Sequence, residues 1–225
     1  MDRPTKTEIR DVAKSAAAIF AKNGLTSALF GGAACEIYGC TRNPNDVDII
    51  VMTDSYTTEY LKSLLVRDST AEFYTRPSKK IGATYRLLFC RLPQTIFQIT
   101  RRSCKVDILI PGIMNIPSIP SSRILRSSDG LPVLPFFVLL MLKVQGWSDH
   151  RKSDRSDYRA KQHQDVQDIG ELLSIGKQRK EDWRRASGWV PQEFSQHGGA
   201  LISEYVTARG GKAIWEELGF EFVSE

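Results

Sequence analysis

The chain has 225 residues, 41% of them hydrophobic and 25% charged, with a formal charge of +5. That length is enough to bury a core as one large domain or two small ones, and the balance excludes both a disordered tail and a basic nucleic-acid arm. The modest positive excess favours anionic ligands such as nucleotides or RNA.

In chain order, apolar residues at Ile9, Val12, Ala16, Ile19 and Phe20 predict an amphipathic helix over Thr5 to Asn23, stopped by Asn23-Gly24. A short strand, Ala28-Leu29-Phe30, runs into Gly31-Gly32, and a two-turn helix follows from Ala33 to Gly39. Thr41 to Asn45 contains Pro44 and two asparagines and reads as a turn. Asp46 to Met52 reads as a strand, and Ser55 or Thr57 can cap a helix with Tyr60, Leu61, Leu64 and Leu65 inward. Strands are predicted at Ala71 to Tyr74, Ala83 to Cys90 and Thr95 to Ile99, with Arg76 to Lys80 a basic exposed connection.

Lys105 to Ile110 reads as a further strand, stopped by Pro111-Gly112. Irregular chain follows to Pro120, then an extended segment from Arg123 to Pro135 turning at Ser128-Asp129-Gly130. Beyond it the pattern becomes helical: Phe136 to Trp147, Lys161 to Ile175, Ala200 to Thr207 and Ala213 to Leu218. The polar stretch Ser148 to Arg159 reads as a solvated loop that could instead face phosphates. The expected fold class is α+β, a mixed sheet flanked by helices and followed by a helical C-terminal half, with domains at 1–130 and 131–225.

The four cysteines form no CxxC pair and the three histidines are scattered, so free thiols are expected and a zinc site is not. His150 and His163 read as surface residues. The N-terminus starts polar, and the apolar run from Leu131 to Val144 is too short for a bilayer, so a soluble cytoplasmic protein is expected.

Chemistry concentrates in three aspartates. Asp46 and Asp48 are two apart on a strand, so their carboxylates share a face while Val47, Ile49 and Val51 point inward. Asp107 sits within another apolar strand, where an isolated carboxylate costs several kcal/mol unless paired or metal-bound. One strand aspartate alone is ordinarily a salt bridge or a cap. Three in this pattern can hold two Mg²⁺ ions roughly 3.5–4 Å apart and clamp an in-line attack on phosphorus. Arg42 and Lys105 flank the cluster in sequence.

Phe30-Gly31-Gly32, Asp46-Val47-Asp48-Ile49 and Val106-Asp107-Ile108 resemble the three signature elements of the polymerase-β-like nucleotidyltransferase superfamily. The spacing from Gly31-Gly32 through Arg42 to Asp48 is similar to its aminoglycoside-type and abortive-infection or toxin–antitoxin members, and the chain also resembles uncharacterised fungal proteins of this fold. The resemblance implies that Asp46 and Asp48 ligate the metal of a nucleoside triphosphate, ATP among the candidates. It implies that Asp107 completes a second site for Mg²⁺ (or Mn²⁺) and helps deprotonate an acceptor hydroxyl. Gly31 and Gly32 would let backbone N–H groups approach the triphosphate. Many members carry Gly-Ser where this chain has Gly-Gly followed by Ala33, which narrows the subgroup.

In relatives a lysine from the helical half reaches the triphosphate, which gives Lys143 that role here; the bland reading is a lysine that snorkels to solvent. Lys161, Asp165 and Asp168 share one helix face, and with Ile169 they resemble the Lys-Asp-x-x-Asp-Ile signature of the abortive-system enzymes, the lysine displaced to four before the first aspartate. Surface salt bridging is the equal alternative. The implied activity is transfer of a nucleoside monophosphate to a small-molecule, RNA or protein hydroxyl, with pyrophosphate released. The alternatives are a nucleotide-binding regulatory or antitoxin-like module without turnover, and an RNA-binding protein with a structural acidic cluster.

Overall fold

The computed structural model describes residues 3–68, 72–79, 82–94 and 101–222. The first helix, α1 (Lys6–Lys22), is closed at its start by a capping box. The Thr5 hydroxyl accepts from the Glu8 N–H, and the Glu8 carboxylate accepts from the Thr5 N–H. Its buried stripe, Ile9, Val12, Ala13, Ala16, Ile19 and Phe20, follows the periodicity of the sequence. Strand β1 (Ser27–Phe30) leads into α2 (Gly31–Tyr38), which starts two residues earlier than the spacing predicted. The glycines are the first helical turn and not a loop before it, and α2 ends at Gly39 in the left-handed conformation that glycine favours.

Strand β2 (Asp46–Val51) is followed by α3 (Thr58–Arg67), whose N-cap Thr57 accepts from the Tyr60 N–H. Next come β3 (Phe73–Pro77), β4 (Arg86–Arg91) and β5 (Ser103–Leu109). Arg76 and Pro77 therefore belong to a strand and not to the connection the sequence suggested; Pro77 is tolerated because β3 is an edge strand. The predicted strand from Thr95 to Ile99 lies outside the described residues. The segment around Asp129-Gly130 is a hairpin of β6 (Leu125–Arg126) and β7 (Pro132–Val133).

The helical half contains α4 (Phe136–Arg151), α5 (Ser156–Arg159), α6 (Gln162–Arg179), α7 (Trp183–Ala186), α8 (Gln192–Arg209) and α9 (Lys212–Glu217). The polar stretch after Trp147 is thus largely helical: α4 continues one turn and α5 follows. Helix α4 is apolar on nearly every side and forms the axis of this half, packed on α2, α6 and α8. Among the described residues no helix is long and apolar enough to cross a membrane, and all four cysteines are free and buried.

The fold is α+β. One seven-stranded mixed sheet runs in the order β3-β4-β5-β2-β1-β7-β6. β1 and β2 are antiparallel, whereas β2 and β5 are parallel, so the two strands that carry aspartates lie side by side at the centre. Along β5 burial alternates strictly: Cys104, Val106 and Ile108 are buried, and Ser103, Lys105 and Asp107 are partly open. The buried residues face α1 and α3, and the open ones define the opposite face.

Candidate active site

Register brings the three aspartates together. Asp48 pairs with Asp107 and Asp46 with Lys105 across the parallel β2–β5 ladder, and paired residues of neighbouring strands point to the same face. Carboxylate oxygens of Asp46, Asp48 and Asp107 all lie within 4.8 Å of one another. All three are partly buried, so their repulsion is only weakly screened by water. Burial first, and then the charges of Asp46 and Asp107, push the Asp48 carboxyl up to about 7. Asp46 is raised by burial and by Asp107. Lys105 pairs directly with Asp107; burial opposes its charge, and Asp107 with Asp46 and Asp48 more than compensates.

Gly31 explains itself by space. Its φ is +61°, and a Cβ there would stand 2.1 Å from Asp48 Oδ2. A Cβ at Gly32 would meet the Arg42 guanidinium at 2.9 Å. The two glycines therefore allow the first turn of α2 to lie directly against an aspartate and an arginine, with its free N–H groups beside the carboxylate cluster.

Arg42 and Lys143 meet at Asp168, and Lys161 lies apart from them. Arg42 makes a bidentate pair with Asp168, Nε to Oδ1 at 3.0 Å and Nη2 to Oδ2 at 2.7 Å. Lys143 lies 2.6 Å from Asp168 and 3.4 Å from Asp165, and is only 9% exposed. Its ammonium does not snorkel to solvent. Asp165 and Asp168 are themselves 6% and 0% exposed, so this helix face is a buried interface and not a surface. Burial works against the Asp168 charge, but Arg42 and Lys143 overcome it and hold its carboxyl below the ordinary Asp value.

His150, read from sequence as a surface residue, is only partly exposed and contacts Asp165 through Nδ1 at 2.6 Å, because α4 extends far enough to carry it there. His163 is exposed. Lys161 precedes α6 on the open side, its ammonium 4.6 Å from the Tyr158 ring. Its charge still reaches Asp46, where it works against the effect of burial.

A cleft of about 250 Å³ opens beside Gly31 and Lys143, walled by Phe30, Leu109, Leu139 and Leu142. Gln145 lines it at 8% exposure. The Gln145 Nε2 donates to the Met114 carbonyl at 2.6 Å, which fixes the amide orientation, and Oε1 has no partner among the described residues. Sequence reasoning missed Gln145, since one glutamine in an apolar helix carries no spacing signal. A larger cavity of about 500 Å³ lies at the far edge, between α1 and the β6–β7 hairpin, and its lining includes the Lys14–Asp129 pair and not the aspartate cluster.

No family model matches the sequence, and no curated protein matches it. Solved structures do resemble the fold. An antigenic nucleotidyltransferase-like protein from Paracoccidioides brasiliensis superposes with a TM-score of 0.68 at 14% identity, over 99% of this chain and 97% of that one. JHP933 from Helicobacter pylori gives 0.51 at 15% identity, over 95% and 88%. The architecture shared with these structures is the nucleotidyltransferase-like fold, and in this chain an acidic triad lies on its central strands.

Proposed function

We propose that this protein is a divalent-metal-dependent nucleotidyltransferase that moves a nucleoside monophosphate from a nucleoside triphosphate to a hydroxyl, releasing pyrophosphate. The observation that carries the reading is the convergence of Asp46, Asp48 and Asp107 on one face, with Lys105 paired to Asp107. Three hard oxygen donors whose charges repel one another suit Mg²⁺ or Mn²⁺. Bound there, such ions would neutralise charge on the triphosphate and on the developing transition state.

The chain's own groups supply the rest. Gly31 and Gly32 bring the N-terminal amides of α2 to the phosphates. Asp107 takes the proton of the acceptor hydroxyl. The cleft beside Gly31 seats the nucleoside between Phe30, Leu109 and Leu142, and Gln145 Oε1 accepts from an N–H of the base. Lys143 lines the same cleft, and Arg42 and Lys161, whose charges reach Asp46, would add positive potential toward the triphosphate. In this reading residues 1–130 carry the carboxylates, and residues 131–225 close the opposite wall of a cytoplasmic enzyme.

One observation favours the second reading, a nucleotide-binding regulatory module without turnover: Asp165 and Asp168 already engage Lys143 and Arg42. A single experiment separates the two. The protein is incubated with labelled nucleoside triphosphates, Mg²⁺ or Mn²⁺, and total cell extract, beside an Asp46→Ala/Asp48→Ala control. A labelled product that disappears in the control is expected. Wild type matching the control in every fraction overturns catalysis, and tight triphosphate binding without pyrophosphate release establishes the module.

A further inference from the structure

The functional face of the sheet does not end at the aspartates. Phe89 of β4 pairs with Lys105 of β5, and Tyr74 of β3 pairs with Phe89, so all three stand on the same face as Asp107. The Tyr74 and Phe89 rings stack with centroids 5.8 Å apart and planes 25° off parallel. Arg76 lies over both rings, 5.0 Å from Tyr74 and 5.5 Å from Phe89, and Arg91 lies 4.8 Å from the Tyr74 ring on its other flank. Both arginines are exposed and both rings partly so. The helices that pack most on β3 and β5, α1 and α3, do so from the opposite face. Glu72 is an acidic group at this end; it pairs with Arg101 and lies 4.0 Å from Arg91, which leaves Arg76 as the arginine over the rings without that carboxylate.

We infer that β3 and β4 form a platform for a single-stranded polynucleotide whose terminal 3′-hydroxyl is the acceptor at Asp107. The inference rests on the nucleotidyltransferase reading and names its acceptor class. Aromatic rings interleaved with guanidinium planes are surfaces on which bases stack regardless of sequence, while the arginine N–H groups bind phosphate oxygens. A polycationic small molecule is disfavoured by the same arginines, and a neutral one has no use for them. Strands are spaced about 4.8 Å apart, so β3 stands roughly 10 Å from Asp107, room for the last two or so nucleotides. The platform thus runs directly into the site. In the transfer, the 3′-oxygen bonds to the α-phosphorus, the α–β P–O bond breaks, pyrophosphate leaves, and the hydroxyl proton passes to Asp107.

The test is binding of a fluorescent single-stranded RNA 12-mer, the same-sequence DNA, and its duplex, across a salt series. Wild type is compared with Tyr74→Leu, Arg76→Gln and Arg91→Gln, all checked for native circular dichroism and melting. Mg²⁺-dependent binding of a fluorescent nucleoside triphosphate is titrated on the same preparations. Single strands are expected to bind more tightly than the duplex. Tyr74→Leu should weaken them about tenfold. Each arginine variant should flatten the log–log salt slope by about 0.7, and triphosphate binding should not change. RNA bound more tightly than DNA assigns the acceptor to RNA, and equal binding assigns it to either polymer. No oligonucleotide binding at low salt overturns the proposal. So does binding that depends on the arginines and not on Tyr74, since that is a polyanion patch. If triphosphate binding is present in either case, the nucleotidyltransferase reading survives. If Arg91→Gln is misfolded, Tyr74→Leu and Arg76→Gln decide alone.

Discussion

Two groups of charges sit on neighbouring parts of this molecule and obey opposite rules. Asp46, Asp48 and Asp107 place three carboxylates within 4.8 Å of one another, with Lys105 paired to Asp107, and the Asp48 carboxyl is pushed up to about 7. Asp165 and Asp168 place two carboxylates against Arg42, Lys143 and His150, and the Asp168 carboxyl is held below its ordinary value. The first group is only partly compensated by Lys105, and its carboxylates could hold a divalent metal. The second is satisfied from within and joins the two halves of the chain, β2's preceding turn to α4 and α6. Burial raises the carboxyl in both groups; the sign and number of the partners set the direction of the net shift.

The comparison breaks most visibly at Asp168. Replacing it by alanine strips the partly buried Arg42 of its carboxylate and leaves the buried Lys143 with Asp165 alone, and should destabilise the fold by about 3–5 kcal/mol, read from the urea midpoint. The sign with pH follows from its depressed value. The wild-type contribution is full above the ordinary Asp pKa of 3.8 and is lost as the pH falls through the lower folded value. Asp168→Ala should therefore lack that acid-side loss, and an unchanged acid limb would remove Asp168 from the satisfied group.

Gly31→Ala probes the contact between the α2 turn and the open cluster. A left-handed φ and a Cβ 2.1 Å from Asp48 Oδ2 should together cost about 2–3 kcal/mol. Divalent-cation affinity by isothermal titration should fall at least tenfold, because Asp48 must move aside. A variant with wild-type affinity would show that Asp48 is not held where the cluster requires it.

Asp48→Asn gives the smallest effect and the opposite sign. In chelator, the folded Asp48 binds its proton up to about 7, whereas an unfolded one releases it near 3.8. Its contribution to stability therefore falls as pH rises between those values and stays flat above them. The asparagine variant should be about 1–2 kcal/mol more stable than wild type at pH 8 and closer to it at pH 5. Mg²⁺ should reverse the order at pH 8 by stabilising wild type only. Thermal melts at both pH values check this, and a destabilised asparagine variant in chelator would place Asp48 among the compensated charges.

Much of the sheet was legible from local pattern. Thr57 as a cap, the stripe of α1, and the alternation around Asp46 and Asp107 are set by residues within a few positions of each other, and the structure keeps them. Boundaries moved where tertiary contact outweighed local preference. β3 runs through Pro77 because, among the described residues, its outer edge has no partner strand to satisfy, and α2 begins at Gly31 because only glycine fits against Asp48.

By itself the sequence determined that three aspartates lie on strands and that two glycines sit at a strand-to-helix junction, because side-chain period and backbone permissiveness are local properties. Only the tertiary structure decided which charges meet. The β2–β5 register set Asp48 beside Asp107, and the packing of α4 and α6 against the α2–β2 turn delivered Lys143 and Arg42 to Asp168. Those partners are separated by up to 126 residues, and no spacing rule reaches that far. Electrostatics depends on distance in space, and distance in space is what folding supplies.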